Sequence, residues 1–167
     1  KTAWQLGVNV SLGTDWSPAG SKNLLMELKV VDRLNKQVWG NYFSTRDLVQ
    51  MVTSNPADAI GWTNHVGRLK VGLYADVAVY RKRGNGTYRS VIDATEQDVR
   101  LVLVGGDPLY GDLDVMARLK PADSETIDAA CATPFAKAID LTSGAAKVEH
   151  GELELAQVRD MLGLALQ

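Results

Sequence analysis

Five residues that alternate in polarity, Val8-Asn9-Val10-Ser11-Leu12, run into Gly13-Thr14-Asp15 and constrain the chain more than any other stretch. The apolar residues fall at 8, 10 and 12, the period of a strand, and two of them are β-branched. Gly13 breaks the run and Asp15 follows at the break. Pro18 and Gly20 then turn the chain, and a helical pattern starts at Leu24. Strand, acidic residue at the strand's C-terminal end, loop and helix is the order of a βα unit.

A (β/α)8 barrel carries its chemistry at the C-terminal ends of its strands. An Asp at such a position can bind a metal or move a proton. Asp and Ser after a strand are equally ordinary turn and N-cap residues, so the stretch by itself leaves both readings open. Inside a barrel both strand faces are covered, and Asn9 and Ser11 then require hydrogen-bond partners.

The chain has 167 residues, room for one domain or slightly more. With 46% hydrophobic residues it can build a core, and its formal charge of −2 argues against nucleic acid as a partner. The basic run Arg81-Lys82-Arg83 precedes Gly84-Asn85-Gly86 and reads as a solvated hairpin or loop. The single Cys131 excludes an intrachain disulfide and is too few for a cysteine metal site. It reads as a small buried or half-buried thiol, compatible with a reducing cytoplasm. No run of about 18 apolar residues occurs, so no membrane-spanning helix is expected. Lys1-Thr2-Ala3-Trp4 is neither a Met start nor a signal peptide and reads as a chain entered partway through.

Local signals then divide the chain. Thr2 to Leu6 closes a helix, with Gly7 past its end. Asn23 to Val38 is a helix whose apolar stripe is Leu24, Leu28, Val31, Leu34 and Val38, ended by Gly40 and Asn41. Ser44-Thr45-Arg46-Asp47 has the spacing of a capping box ahead of Leu48, Val49 and Val52. Asn55 reads as an N-cap and Pro56 as the first residue of a short helix stopped by Gly61. From Gly67 the texture changes. Gly67 to Gly72 is a tight segment, and Ala75 to Tyr80, Tyr88 to Ile92 and Arg100 to Val104 read as strands. Asp107 to Tyr110 reads as a further turn. Short strands between glycine turns suggest part of a β-sandwich. Leu153 to Leu166 is a helix with Leu155, Val158, Leu162 and Ala165 on one face.

Four motifs occur in a familiar order: Leu12-Gly13-Thr14-Asp15, Asn23-Leu24-Leu25-Met26-Glu27-Leu28-Lys29, Thr53 to Gly61, and Val66 to Val79. Together with Val104-Gly105-Gly106-Asp107-Pro108-Leu109-Tyr110-Gly111 they resemble the C-terminal part of the amidohydrolase superfamily. The branch is the one containing cytosine-deaminase-like enzymes, chlorohydrolases and aminohydrolases. The resemblance covers about Gly7 to Asp112 and rests on the order of several motifs.

The resemblance implies an α/β fold: the C-terminal fragment of a (β/α)8 TIM barrel, with its last βα unit and following helices, part of a small β-sandwich, and a C-terminal helix. The corresponding boundaries are 1–65, 66–112 and 113–167. It implies a cytoplasmic metal-dependent hydrolase acting on C–N bonds, or C–Cl bonds, of a small molecule. The metal is a divalent ion, zinc in preference to iron, that activates a water. Asp15 matches the family's metal-ligating and proton-accepting Asp at the end of the eighth strand. Trp16, Ser17 and Lys22 follow it as candidate substrate-binding residues.

The family's other ligands are histidines, including a His-x-His pair. This sequence has only His65 and His150, in no such pair, and each reads as a surface or packing residue. A zinc site needs about three or four protein ligands, and one is offered. The fragment alone is therefore expected to be inactive. It is expected to oligomerise, or to be completed by a barrel portion preceding Lys1. The alternative is a non-enzymatic or split-enzyme module that binds a partner through its sandwich and its exposed barrel strand. No membrane partner is implied.

Overall fold

The computed structural model describes residues 1–16, 19–84, 86–127, 136–142 and 154–165. Cys131 and His150 lie outside them. Two compact units form: Lys1–Tyr74 with Tyr80–Asp98, and Ala75–Val79 with Val99–Gln167.

The first unit is helical. Helix α1 (Thr2–Gln5) ends as its sequence predicts. Gly7 turns left-handed at φ 76°, its N–H reaches the Trp4 carbonyl, and the Val8 N–H reaches Ala3. That pair of bonds is a Schellman cap. Helix α2 (Leu24–Gln37) is N-capped by Asn23, whose side chain accepts the Met26 N–H. Its inward face is narrower than the predicted stripe. Leu28, Val31, Asp32 and Asn35 are buried, while Leu24, Leu34 and Val38 are exposed. Two polar residues go inward because each has partners there: Asn35 bonds the backbone of Phe43, and Asp32 bonds Arg89.

Helix α3 (Thr45–Gln50) carries the complete Ser44–Asp47 capping box. Helix α4 (Ser54–Ala59) starts two residues earlier than expected. Thr53 is its N-cap, and Asn55 lies inside the helix with its side chain turned to the Val10 carbonyl. Pro56 still falls in the first turn, where its missing N–H has no intrahelical role.

The segment Thr87–Asp93 is helix α5 and not the expected strand. Ile92 is buried in the cluster of Leu28, Val31, Phe43, Leu48 and Met51, and Val91 packs beside it. The Ser90 hydroxyl donates back to the Gly86 and Arg83 carbonyls. Burial of two adjacent apolar residues on one helical face outweighs the β-propensity of Tyr88, Val91 and Ile92. A 3₁₀ turn over Glu96–Asp98 closes the unit. There Arg83 pairs with Asp98, which is 1% exposed, so the basic run is not simply solvated.

The second unit is a five-stranded sheet in the order β1-β2-β3-β5-β4. Its strands are β1 (Val77–Tyr80), β2 (Val99–Val104), β3 (Asp107–Asp112), β4 (Glu125–Ile127) and β5 (Lys137–Ile139). The pairs β2–β3, β3–β5 and β4–β5 are antiparallel. Asp107 to Tyr110 is therefore strand and not turn. The turn is Gly105-Gly106, both with positive φ, as a two-residue hairpin of the I′ type requires. Pro108 is accommodated where the register shifts between Val102 and Leu103. Helix α6 (Leu113–Leu119) buries Met116. Helix α7 (Leu155–Ala165) receives the Glu125 carboxylate at the Leu155 N–H. Among the described residues the strands thus form a single sheet.

Candidate functional site

The expected strand Val8–Leu12 is irregular backbone. A strand is stabilised by its ladder, and among the described residues no strand lies beside this segment. It is held by α3 and α4 instead. The Leu12 N–H donates to the Met51 carbonyl (2.9 Å), the Asn55 amide donates to Val10 (2.9 Å), and Asn9 donates to the Asn55 carbonyl (2.8 Å). Val10 and Leu12 pack against the core cluster, while Val8 is exposed. Asn9 thus finds the partner its position demanded, on a helix and not on a strand.

A closed loop follows and carries Asp15. Its neck is the hydrogen bond from the Ser21 N–H to the Thr14 carbonyl (3.1 Å). Within it the Trp16 carbonyl accepts the N–H groups of Ala19 (2.9 Å) and Gly20 (2.8 Å). Gly20 passes so close beneath Thr14 that a Cβ there would stand 1.7 Å from the Thr14 oxygen. Asp15 sits in this loop at φ 57°, a left-handed conformation that Asp tolerates better than most residues. Its side chain is exposed, and Trp16 beside it is 72% exposed. Ser17 lies outside the described residues.

The loop's C-terminal foot is anchored. Ser21, itself buried, donates its hydroxyl to Glu27 (2.6 Å). Lys22, with a side chain 67% exposed, has a carboxylate partner. It pairs with Glu96 at 2.7 Å, and the Asn23 amide donates to the same Glu96 oxygen at 2.7 Å. The Lys22 ammonium, the residue's own backbone N–H and Asn23 together hold the Glu96 carboxyl down at about 2. Nearby, burial lowers the Lys29 ammonium, whose Nζ donates to the Leu25 and Ala94 carbonyls. Two shallow clefts run along α2, and Asp15 lines neither.

The structure therefore places Asp15 and Trp16 together on one braced loop and gives Lys22 to a brace. His65 stacks on Tyr74 (5.9 Å between ring centroids) and meets the edge of Trp62, the packing role its context predicts. Among the described residues no group of three or more His, Cys, Asp or Glu side chains is placed to hold a metal ion. Asp15 alone does not make a metal centre. No described helix is long and apolar enough to cross a membrane. Sequence patterning does not find Glu96, and it finds Asn55 only as an N-cap and not as the partner of Val10. Each acts on backbone or side chains more than 40 positions away, and no local period marks such a contact.

The sequence profile of the amidohydrolase family matches residues 1–109. A 5-methylthioadenosine/S-adenosylhomocysteine deaminase of Pyrococcus furiosus is 30% identical over 117 residues, 64% of this chain and 27% of its own length. A deaminase of the same name from Thermoanaerobacter pseudethanolicus is 35% identical over 79 residues, 44% of this chain and 18% of its own. A Methanothermobacter thermautotrophicus protein whose name contains the word aminohydrolase is 28% identical over 100 residues, 60% of this chain and 25% of its own. The chain spans about a quarter of the length of the curated relatives it matches.

Proposed function

Because the chain belongs to the amidohydrolase family, we propose that it is the Asp15-bearing portion of a hydrolase that cleaves non-peptide C–N bonds of a small molecule. Relatives named as deaminases support C–N over C–Cl cleavage. The family match supports a (β/α)8-barrel parent. The observation that carries the reading is the geometry of Asp15: an exposed carboxylate on a left-handed residue, in a loop closed by backbone bonds, within the matched region.

A carboxylate fixed in this way can accept a proton from water and return it to a departing nitrogen. A divalent ion, zinc in preference to iron, would lower the pKa of that water toward ~7 and make it the nucleophile. Asp15 can supply one ligand to such an ion. The described residues do not complete the set. In this reading Trp16 offers an exposed ring face to a flat substrate, Ser17 accompanies it, and Lys22 serves through its hold on the loop.

Completion of the site by further barrel structure, from the same polypeptide or in trans, is supported by the unladdered Val8–Leu12 segment and by exposed Leu6 and Val8. The same observation favours a second reading, in which the chain is a split-enzyme module that binds its barrel as a partner.

The test uses the protein with all flanking sequence its gene encodes. Zinc content and ammonia release from 5-methylthioadenosine are compared before and after Asp15→Asn. Turnover is expected to fall at least ~10²-fold, with loss of zinc. The melting temperature should barely move, because Asn tolerates left-handed backbone as Asp does. Unchanged turnover and zinc content with a lowered melting temperature would end this reading. The 167-residue chain by itself is expected to hold no stoichiometric metal, since a single carboxylate binds zinc weakly.

A further inference from the structure

We propose that Glu96 is a positioning residue for Asp15, clamping the foot of the Asp15 loop through Lys22 and Asn23. The inference rests on the reading of Asp15 as a reactive, ligating carboxylate. Glu96 comes from the 3₁₀ turn at the end of the helical unit, 73 positions from Asn23. One of its oxygens takes both the Lys22 ammonium and the Asn23 amide, at 2.7 Å each. Asn23 is committed at both ends of its amide. Its oxygen receives the Met26 N–H as the α2 N-cap, and its nitrogen reaches Glu96.

The next residue toward the loop, Ser21, is pinned by its hydroxyl to Glu27 and closes the loop neck by its N–H on Thr14. Thr14 is the residue before Asp15. The path from Glu96 to Asp15 is therefore a continuous run of hydrogen bonds and two short covalent links. Glu96 fixes residues 22 and 23, these fix the neck, and the neck fixes the backbone that aims Asp15. A misplaced reactive group forfeits rate and affinity without unfolding the protein.

The identity of residue 23 separates this role from simple capping. Asp and Asn are equivalent N-caps. Asp at 23 would keep the cap and set a second carboxylate against Glu96, whereas Gln at 96 could then donate to Asp at 23. Asn23→Asp, Glu96→Gln and their combination thus separate the clamp from the cap.

The experiment uses the zinc-loaded protein with all its flanking sequence. Amide exchange of the 13–23 segment, the rate of zinc loss to a chelator and the melting temperature are measured for each variant and for Asp15→Asn. In Asn23→Asp, exchange at Gly20 and Ser21 and the zinc-loss rate should each rise about tenfold, with the melting temperature kept. The combined variant should restore both. Unchanged exchange in Asn23→Asp overturns the clamp. So does faster exchange with unchanged zinc loss, or failure of the combined variant to restore either. If Asn23→Asp does not fold, Glu96→Gln alone carries the comparison. Asp15→Asn without effect on zinc loss overturns the Asp15 reading instead, and exchange in the other variants still reports on the clamp by itself.

Discussion

Arg89 grips Asp32 with both ends of its guanidinium, Nη2 to Oδ1 at 2.6 Å and Nη1 to Oδ2 at 2.9 Å, and so ties α5 to α2. Lys36 adds a third bond to the same carboxylate at 2.6 Å. Asp32 is buried, and a buried carboxylate is tolerated only when it is paired in this way.

The Arg89 bonds hold the Asp32 carboxyl down to about 2, from an ordinary value of 3.8. A depressed folded-state pKa contributes stability above the unfolded value, and that contribution is lost as pH falls through the folded value. Asp32→Asn should therefore cost on the order of 2 kcal/mol at pH 7. The gap to the parent should close between about pH 4 and pH 2. Urea unfolding of both proteins across that range checks it, and a gap that stays constant would sink the assignment.

Asn35 makes two bonds to one residue, its Nδ2 donating to the Phe43 carbonyl and its Oδ1 accepting the Phe43 N–H. Both residues are buried, and Trp4, Trp39 and Tyr42 pack edge-on around the Phe43 ring. Asn35→Ala leaves two buried backbone groups without partners and should cost about 2–4 kcal/mol. A loss below ~1 kcal/mol in chemical unfolding would mean that water replaces the amide without penalty.

Gly20 is required by space. Gly20→Ala would drive a methyl into the Thr14 carbonyl, so the neck must open. Exchange of the Ser21 amide should quicken by at least ~10-fold, while the core amides of α2 keep their protection. Unaltered exchange at Ser21 would show that the loop tolerates the methyl by another route.

Lys137, on β5, reaches the Asp112 carboxylate at 2.6 Å and the Val99 carbonyl at 2.5 Å, and Arg100 pairs with the other Asp112 oxygen. Lys137 and Asp112 are both buried. Removing one member of a buried pair strands the other, so Lys137→Met should cost about 3–5 kcal/mol. Lys137→Met combined with Asp112→Leu should recover much of that loss. A double variant as unstable as the sum of the singles would show that the two side chains do not act as a pair.

Features whose cause lies within a few residues were legible in the sequence. The Gly7 cap of α1, the span of α2, the Ser44–Asp47 box and the Gly105-Gly106 break after β2 all stand where local chemistry puts them. A cap or a glycine turn works through bonds between near neighbours, so the residue types alone specify it. The motif order around Asp15 likewise identified the family, because it is a property of the letters. Tertiary structure alone decided the rest. Val8–Leu12 has the alternation of a strand but no neighbour to ladder with, and it hangs from Met51 and Asn55 instead. Thr87–Asp93 has strand propensity and is helical because Ile92 has a core to enter. Asp32 and Asn35 turn inward because Arg89 and Phe43 are there to meet them, and Lys22 is held by a glutamate 74 positions away. Ladders, burial and ion pairs take their free energy from a partner distant in the chain, and a period read along the sequence carries no record of that partner.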